Sequence, residues 1–261
     1  MKYRVDLHNH TKLCNHAEGE MEEFVKTAIE QKIDYFGFSD HAPMDFDPKY
    51  RMSFEQMELY ESEIFRLKEK YKNSINLLFA YEVDYLDGHI SDLVMNKNVD
   101  YFIGSVHFIK EWGFDNPEFI GGYKDKNIDD IWQDYFDAIE QMAKTAKFDI
   151  VGHFDLIKVF KFLPTKDVRL IAKKAIGAIK KSNMTLEINP AGLRKPIAEQ
   201  YPSRVLLQEC FEADIPVTFG SDAHKLDQIG FGYDEVNLLA KDIGFSKCAI
   251  FENRDRKLVS F

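Results

Sequence analysis

The segment YRVDLHNH, residues 3–10, carries both halves of the pattern that decides the fold. The apolar run Tyr3–Leu7 reads as a strand, and at its C-terminal end stand two histidines, His8 and His10. The arrangement returns in YFGFSDH, residues 35–41, where Tyr35–Ser39 leads into Asp40 and His41. Further strand-like runs are Leu77–Val83, carrying Glu82; Tyr101–Val106, followed by His107; and Asp149–Gly152, followed by His153. Thr185–Ile188 carries Glu187 and precedes Asn189, and Val217–Gly220 runs into Asp222 and His224. Helix-period segments lie between them. Residues 19–32 (GEMEEFVKTAIEQK) repeat Phe24, Ala28 and Ile29 at helical spacing. Residues 53–70 (SFEQMELYESEIFRLKEK) open on a serine, with acids in the first turn and lysines in the last. Helices are also predicted at Asp129–Ala146, Val168–Ser182, Ser203–Ala213 and Glu235–Ile243. Such alternation over 261 residues predicts an α/β chain, one parallel barrel domain spanning 1–261. The alternative is an open doubly wound sheet, but no GxGxxG follows any strand. The tail, residues 248–261 (CAIFENRDRKLVSF), leaves two arrangements open, an added strand or a segment lying across the barrel.

Composition narrows the function. The chain is 45% hydrophobic and 30% charged, as folded soluble proteins are. Thirty-four basic against 44 acidic residues give a net charge of −10, which disfavours a docking surface for nucleic acid or anionic lipid. Cys14, Cys210 and Cys248 form no CxxC and cannot all pair, so a disulfide scaffold is not expected. No stretch approaches the roughly 20 apolar residues of a membrane helix. The N-terminus enters charged, strand-like sequence by Arg4 and Asp6. A soluble, cytoplasmic protein is the expectation.

In a parallel barrel the C-terminal strand ends converge on one rim, where barrel enzymes build their active sites. With His16, these ends account for every histidine except His89. A single histidine there is commonly structural, and Asp222 alone reads as a helix cap. The pair His8 and His10 says more, because residues i and i+2 share one face of a strand. Two imidazoles on an inward face repel when protonated, and a divalent cation removes that conflict. The candidate ligands are imidazole and carboxylate without thiolate, which excludes a structural cysteine-type zinc site. At roughly three to five ligands per ion they suffice for two or three metals, with Glu82 placed to bridge. Such clusters hydrolyse phosphate esters or amides. Cys14, between His10 and His16, is expected to be a loop or core residue.

VDLHNH, FSDHAP, the strand-borne Glu82, GSVHF, GHFDLIK, EINPAGLRK and GSDAH together resemble the PHP (polymerase and histidinol phosphatase) superfamily in order and spacing. The likeness runs from His8 to about Gly232 and is greatest to the histidinol-phosphate phosphatase branch. It implies a distorted (β/α)7 TIM-like barrel with the active site at the C-terminal rim and three divalent metals, zinc, manganese or iron. By motif, His8, His10, Glu82 and Asp222 would hold the first metal. Glu82 would bridge to a second, shared with His107 and His153, and His16, His41 and His224 would hold the third. Asp40 would orient His41 or another imidazole, and His89 stays outside the ligand set.

The activity implied is that of a metal-dependent phosphomonoesterase of histidine biosynthesis. L-Histidinol phosphate would be cleaved to L-histidinol and phosphate by attack of a metal-bound hydroxide. Asp222 or His224 would serve the leaving alkoxide, and Lys158 and Arg194 would bind the phosphate from the loops after His153 and Asn189. The partner is then a small-molecule phosphate monoester, with neither nucleic acid nor membrane. Two other readings stand beside it. One is a PHP esterase for nucleotides, oligonucleotides or phosphotyrosine, and the other is a metal-binding module without catalysis. Asp45 and Asp47, flanking Phe46, would meet a cationic amine or belong to a solvated loop.

Overall fold

The computed structural model describes residues 2–261. Its elements begin β1 (Val5–Asp6), α1 (Met21–Glu30), β2 (Tyr35–His41), α2 (Met57–Tyr71), β3 (Asn76–Asp84) and a short α3 (Asp92–Met95). There follow β4 (Tyr101–Ser105), a hairpin of β5 (Phe108–Ile109) and β6 (Trp112–Gly113), α4 (Ile128–Lys144), β7 (Ile150–Val151) and α5 (Val168–Lys181). The chain ends with β8 (Thr185–Ile188), α6 (Arg204–Glu212), β9 (Val217–Phe219), α7 (Tyr233–Ile243), β10 (Lys247–Glu252) and β11 (Asp255–Ser260).

Local chemistry sets the helices. The Asn127 side chain caps α4 by accepting from Asp129 N; Asp129 and Asp130 occupy its first turn and Lys144 its last. One stripe of α4, including Ile131, Tyr135, Ile139 and Met142, faces the sheet. Asp167 caps α5 in the same way, and Lys180 and Lys181 close it. The strands are apolar on both faces because helices cover the outside and other strands the inside; β3 is buried from Leu77 to Asp84.

The nine-stranded sheet runs β1-β2-β3-β4-β7-β8-β9-β10-β11, and without the tail hairpin β10–β11 seven strands remain. Those seven pair in parallel. The sheet curls until its first strand meets β9. Leu7 N donates to Phe219 O at 2.8 Å, Asp222 N to His8 O at 2.8 Å and His10 N to Ala223 O at 2.9 Å. The expected distorted (β/α)7 barrel is therefore the fold. Its tail does both things the sequence left open. Strand β10 joins β9 at Cys248–Val217 and pairs antiparallel with β11. The turn between them reaches across the N-terminal end, where Arg254 N donates to Asp100 O at 2.8 Å and its guanidinium Nε to Asp149 at 2.9 Å. All three cysteines are buried and free, and among the described residues no helix is long and apolar enough to cross a membrane.

Candidate metal centre

Closure of the barrel brings the polar strand ends together. His8 and His10 leave β1 on its inner face, fully buried, with ring centroids 5.1 Å apart. Glu82 enters from β3 and meets them at the centre. Its Oε1 lies 3.0 Å from His153 Nε2, 3.4 Å from His8 Nε2 and 3.8 Å from His107 Nε2. Its Oε2 lies 2.9 Å from His41 Nδ1 and 3.7 Å from His10 Nε2. After β9 the backbone of Asp222 turns into the left-handed region (φ 53°), a conformation aspartate tolerates, and Asp222 Oδ1 lies 3.1 Å from His10 Nε2. His16 arrives from the loop after Cys14, its Nε2 3.0 Å from His224 Nε2.

Carboxylates and carbonyls fix which ring nitrogen faces inward. His8 Nδ1 bonds Glu187 Oε1 at 2.6 Å, His10 Nδ1 bonds Asp40 at 3.3 Å and His107 Nδ1 bonds Asp84. His16 Nδ1 bonds Cys14 O at 2.8 Å and His224 Nδ1 bonds Asp222 O at 3.1 Å. Each ring thereby presents an Nε2 lone pair, and those of His16 and His224 face each other. Glycine makes room behind this layer: a Cβ on Gly220 would stand 2.2 Å from Glu187 Oε1 and 2.5 Å from His8 Cβ.

The donor set fits divalent cations. Ligand atoms gather within 4.8 Å of one another in His8–His10–Glu82, in Glu82–His107–His153 and in His16–His41–His224. His8 Nε2, His10 Nε2, His41 Nδ1 and Glu82 Oε2 are buried and, close as they lie to one another, have no partner aligned for a hydrogen bond. Each such atom costs about 1–3 kcal/mol, so several in one place call for a positive partner. The electrostatics divide the rings. Burial opposes charge on all of them, but Glu187, Glu82 and Asp222 outweigh it at His8, raising its pKa. Against the same burial, Asp222, Asp40 and Glu82 raise His10 to about 9, and Asp84 and Glu82 raise His107 to about 10. His41 falls to about 4, and His16 and His224 fall too, through burial and repulsion from neighbouring imidazoles. Cys14 comes within ligand distance of His10 and His224, but burial, followed by the Asp40 charge, pushes its thiol pKa up.

The PHP domain model matches residues 6–191. The chain belongs to the PHP domain family. It is 34% identical to a Deinococcus radiodurans protein named "Probable histidinol-phosphatase", over 92% of this chain and 93% of that one. The Bacillus subtilis histidinol-phosphatase is 26% identical over 88% of this chain and 96% of its own. A crystal structure of the Lactococcus lactis histidinol phosphate phosphatase with zinc, L-histidinol and phosphate superposes with a TM-score of 0.84. It covers 98% of this chain and 100% of that one at 21% identity, a likeness of fold.

In this PHP chain the cluster forms the floor of a cavity of about 610 Å³ that also exposes Arg51, Asp84, Asp115, Arg194 and Tyr201. Arg194 stands on the cavity wall. Its Nη2 donates to Ser221 O at 2.9 Å and Asp222 O at 2.6 Å, and its buried Nη1 has no partner. Lys158 does not reach the cavity. It is 2% exposed, and its ammonium lies 2.7 Å from Glu199, 2.8 Å from Gln200 O and 3.0 Å from Asp155, so three acceptors already hold it. Asp40 orients His10 rather than the His41 ring. His89 lies outside the cluster, with Nδ1 2.8 Å from Asp45, while Asp47 lines the cavity.

Sequence reasoning placed Glu187 on its strand without giving it a task, and omitted Asp84, Asp115, Arg51 and Tyr201. Asp84 was within reach of the alternation rule, two residues beyond Glu82 on the same strand. Arg51 binds Asp84 at 2.6 Å from a loop with no pattern to betray it.

Proposed function

We propose that this PHP protein is a metal-dependent phosphomonoesterase acting on L-histidinol phosphate. The observation that carries the reading is the set of inward-facing imidazoles around Glu82, opening into a cavity with an unpaired guanidinium nitrogen on its wall. The relatives' names supply the substrate. Three divalent ions, zinc, manganese or iron, fit the three groups of donors. His8, His10, Glu82 and Asp222 would hold one, Glu82, His107 and His153 a second, and His16, His41 and His224 the third. Bound there, divalent ions supply water acidified to near-neutral pKa and positive charge against phosphoryl oxygens.

The chain's own residues do the rest. Glu187, Asp40 and Asp84 hold the imidazoles in the tautomer that presents Nε2. Arg194, anchored through Nη2, offers Nη1 to a phosphoryl oxygen and opposes its growing charge. Burial would raise the Asp222 carboxyl, but His8, His10 and His224 outweigh it and hold the group ionised. Asp222 therefore suits metal holding and has no proton to give. His224 bonds Asp222 O through Nδ1 and turns Nε2 to the third group of donors, so it too has no proton to hand over and the leaving alkoxide would draw its proton from solvent in the cavity.

The test is a panel of histidinol phosphate, nucleoside monophosphates, phosphotyrosine and p-nitrophenyl phosphate with metal-loaded protein. We expect kcat/KM for histidinol phosphate to exceed the others by about a hundredfold or more. A preference for a nucleotide or phosphotyrosine replaces the substrate, and no turnover on any of them leaves a metal-binding module.

A further inference from the structure

Two buried polar atoms without a protein partner belong to cavity-wall residues outside the histidine cluster: Arg194 Nη1 and Tyr201 Oη. Tyr201 is 1% exposed. Its backbone is fixed by a two-way bond to Asn189 at the end of β8, with N···O distances of 2.7 and 2.8 Å. Its ring is wedged against Gly192, where an added Cβ would come within 3.0 Å of Cζ. Lys158 Nζ stands 5.4 Å from the ring centroid, so the Lys158 network with Asp155 and Glu199 buttresses this side chain.

Packing alone does not call for the hydroxyl. Phenylalanine would fill the same slot without orphaning a buried polar atom. A tyrosine phenol is protonated at neutral pH, so it can serve as a donor. Arg194 can only donate. A group that satisfies both must be an acceptor, and a phosphoryl oxygen is one whose negative charge also suits the guanidinium.

We propose that Tyr201 binds the phosphoryl group of the substrate, its phenolic O–H donating beside Arg194 Nη1. The proposal rests on the phosphomonoesterase reading, and its test is separable from it because inorganic phosphate binding is measured alongside turnover. Tyr201→Phe and wild type are compared, both metal-loaded, for metal content, melting temperature, kcat/KM and inorganic phosphate affinity by calorimetry.

We expect unchanged metal content, an equal or higher melting temperature, and kcat/KM lower by roughly ten- to a hundredfold. Phosphate affinity should weaken about tenfold. Combining Tyr201→Phe with Arg194→Ala should cost less than the product of the single effects, since both contact one group. Phosphate affinity within twofold of wild type overturns the proposal, and so does a melting temperature several degrees lower, which would make the hydroxyl structural. Should wild type turn over no phosphomonoester, the functional reading fails and phosphate affinity alone still decides for Tyr201.

Discussion

Glu187 tests the centre without being a proposed ligand itself, since it acts through two of them. Its carboxylate accepts from three donors: His8 Nδ1 at 2.6 Å on Oε1, and the His153 N–H at 2.7 Å and Asn189 Nδ2 at 3.0 Å on Oε2. Glu187→Gln keeps the size and converts one oxygen to a donor. Whichever way the amide turns, a donor then faces a donor. Pointed at His8, it releases the ring; pointed at His153, it displaces the start of the loop that carries that ligand. Loss of one hydrogen bond to a charged group costs about 1.5–3 kcal/mol, or roughly 10- to 150-fold in affinity. That range overlaps the roughly 10- to 100-fold seen when a carboxylate behind a metal-bound histidine is removed. We expect the metal dissociation constant, measured by competition with a chromophoric chelator, to rise by about that factor. Near-normal kcat should return at saturating metal. A Glu187→Gln protein with metal affinity within threefold of wild type and an unchanged melting temperature would refute the orienting role.

Glu82→Ala should abolish activity and remove more than one metal per chain, since one carboxylate faces both groups; full metal occupancy in the folded variant argues against bridging. Arg194→Ala should lower kcat/KM by about 2–4 kcal/mol, roughly 30- to 1000-fold, with metal content constant, and an unaltered kcat/KM takes Arg194 out of the site. Chelation should end activity while the far-UV helical signal persists, because the barrel has its own apolar core; loss of that signal would make the metals structural. Metals bind neutral imidazole, so with His10 raised to about 9 and His107 to about 10, affinity should climb with pH from neutrality to about 9. Calorimetry at pH ~7 in buffers of differing ionisation enthalpy should show more than one proton released per chain, and none released contradicts the raised values. In the chelated protein the sign reverses. Those raised pKa values favour the fold below about pH 6.5, and the benefit is lost as pH rises through 9 to 10.

Strands and their polar ends were legible because both signals are local. The run Thr185–Ile188 coincides with β8, and β2 differs from its expectation only by continuing through His41. The hairpin Phe108–Gly113 escaped notice because two-residue strands carry no period to read. Lys158 shows the limit for function. A cation five positions past His153 looks identical in sequence whether it reaches inward or turns under the loop. Its partner Glu199 lies 41 positions away, and only the folded chain brings them together. Tyr201 failed to stand out for the opposite reason, since a buried aromatic after a strand is ordinary core and only the unpartnered oxygen distinguishes it.

The seam between the first and last barrel strands has a consequence for how the protein is born. Asp6, near the amino terminus, accepts from Ser221 N at 2.8 Å across 215 positions of chain. During synthesis His8 and His10 leave the ribosome long before Asp222 and His224, the residues that complete their surroundings. A nascent chain that has not reached Asp222 has no finished pocket, and the long loop this seam closes makes its formation a slow event. Closure of the donor cluster thereby waits on synthesis past Asp222, so a ribosome that stalls before that point releases a fragment unable to close the seam.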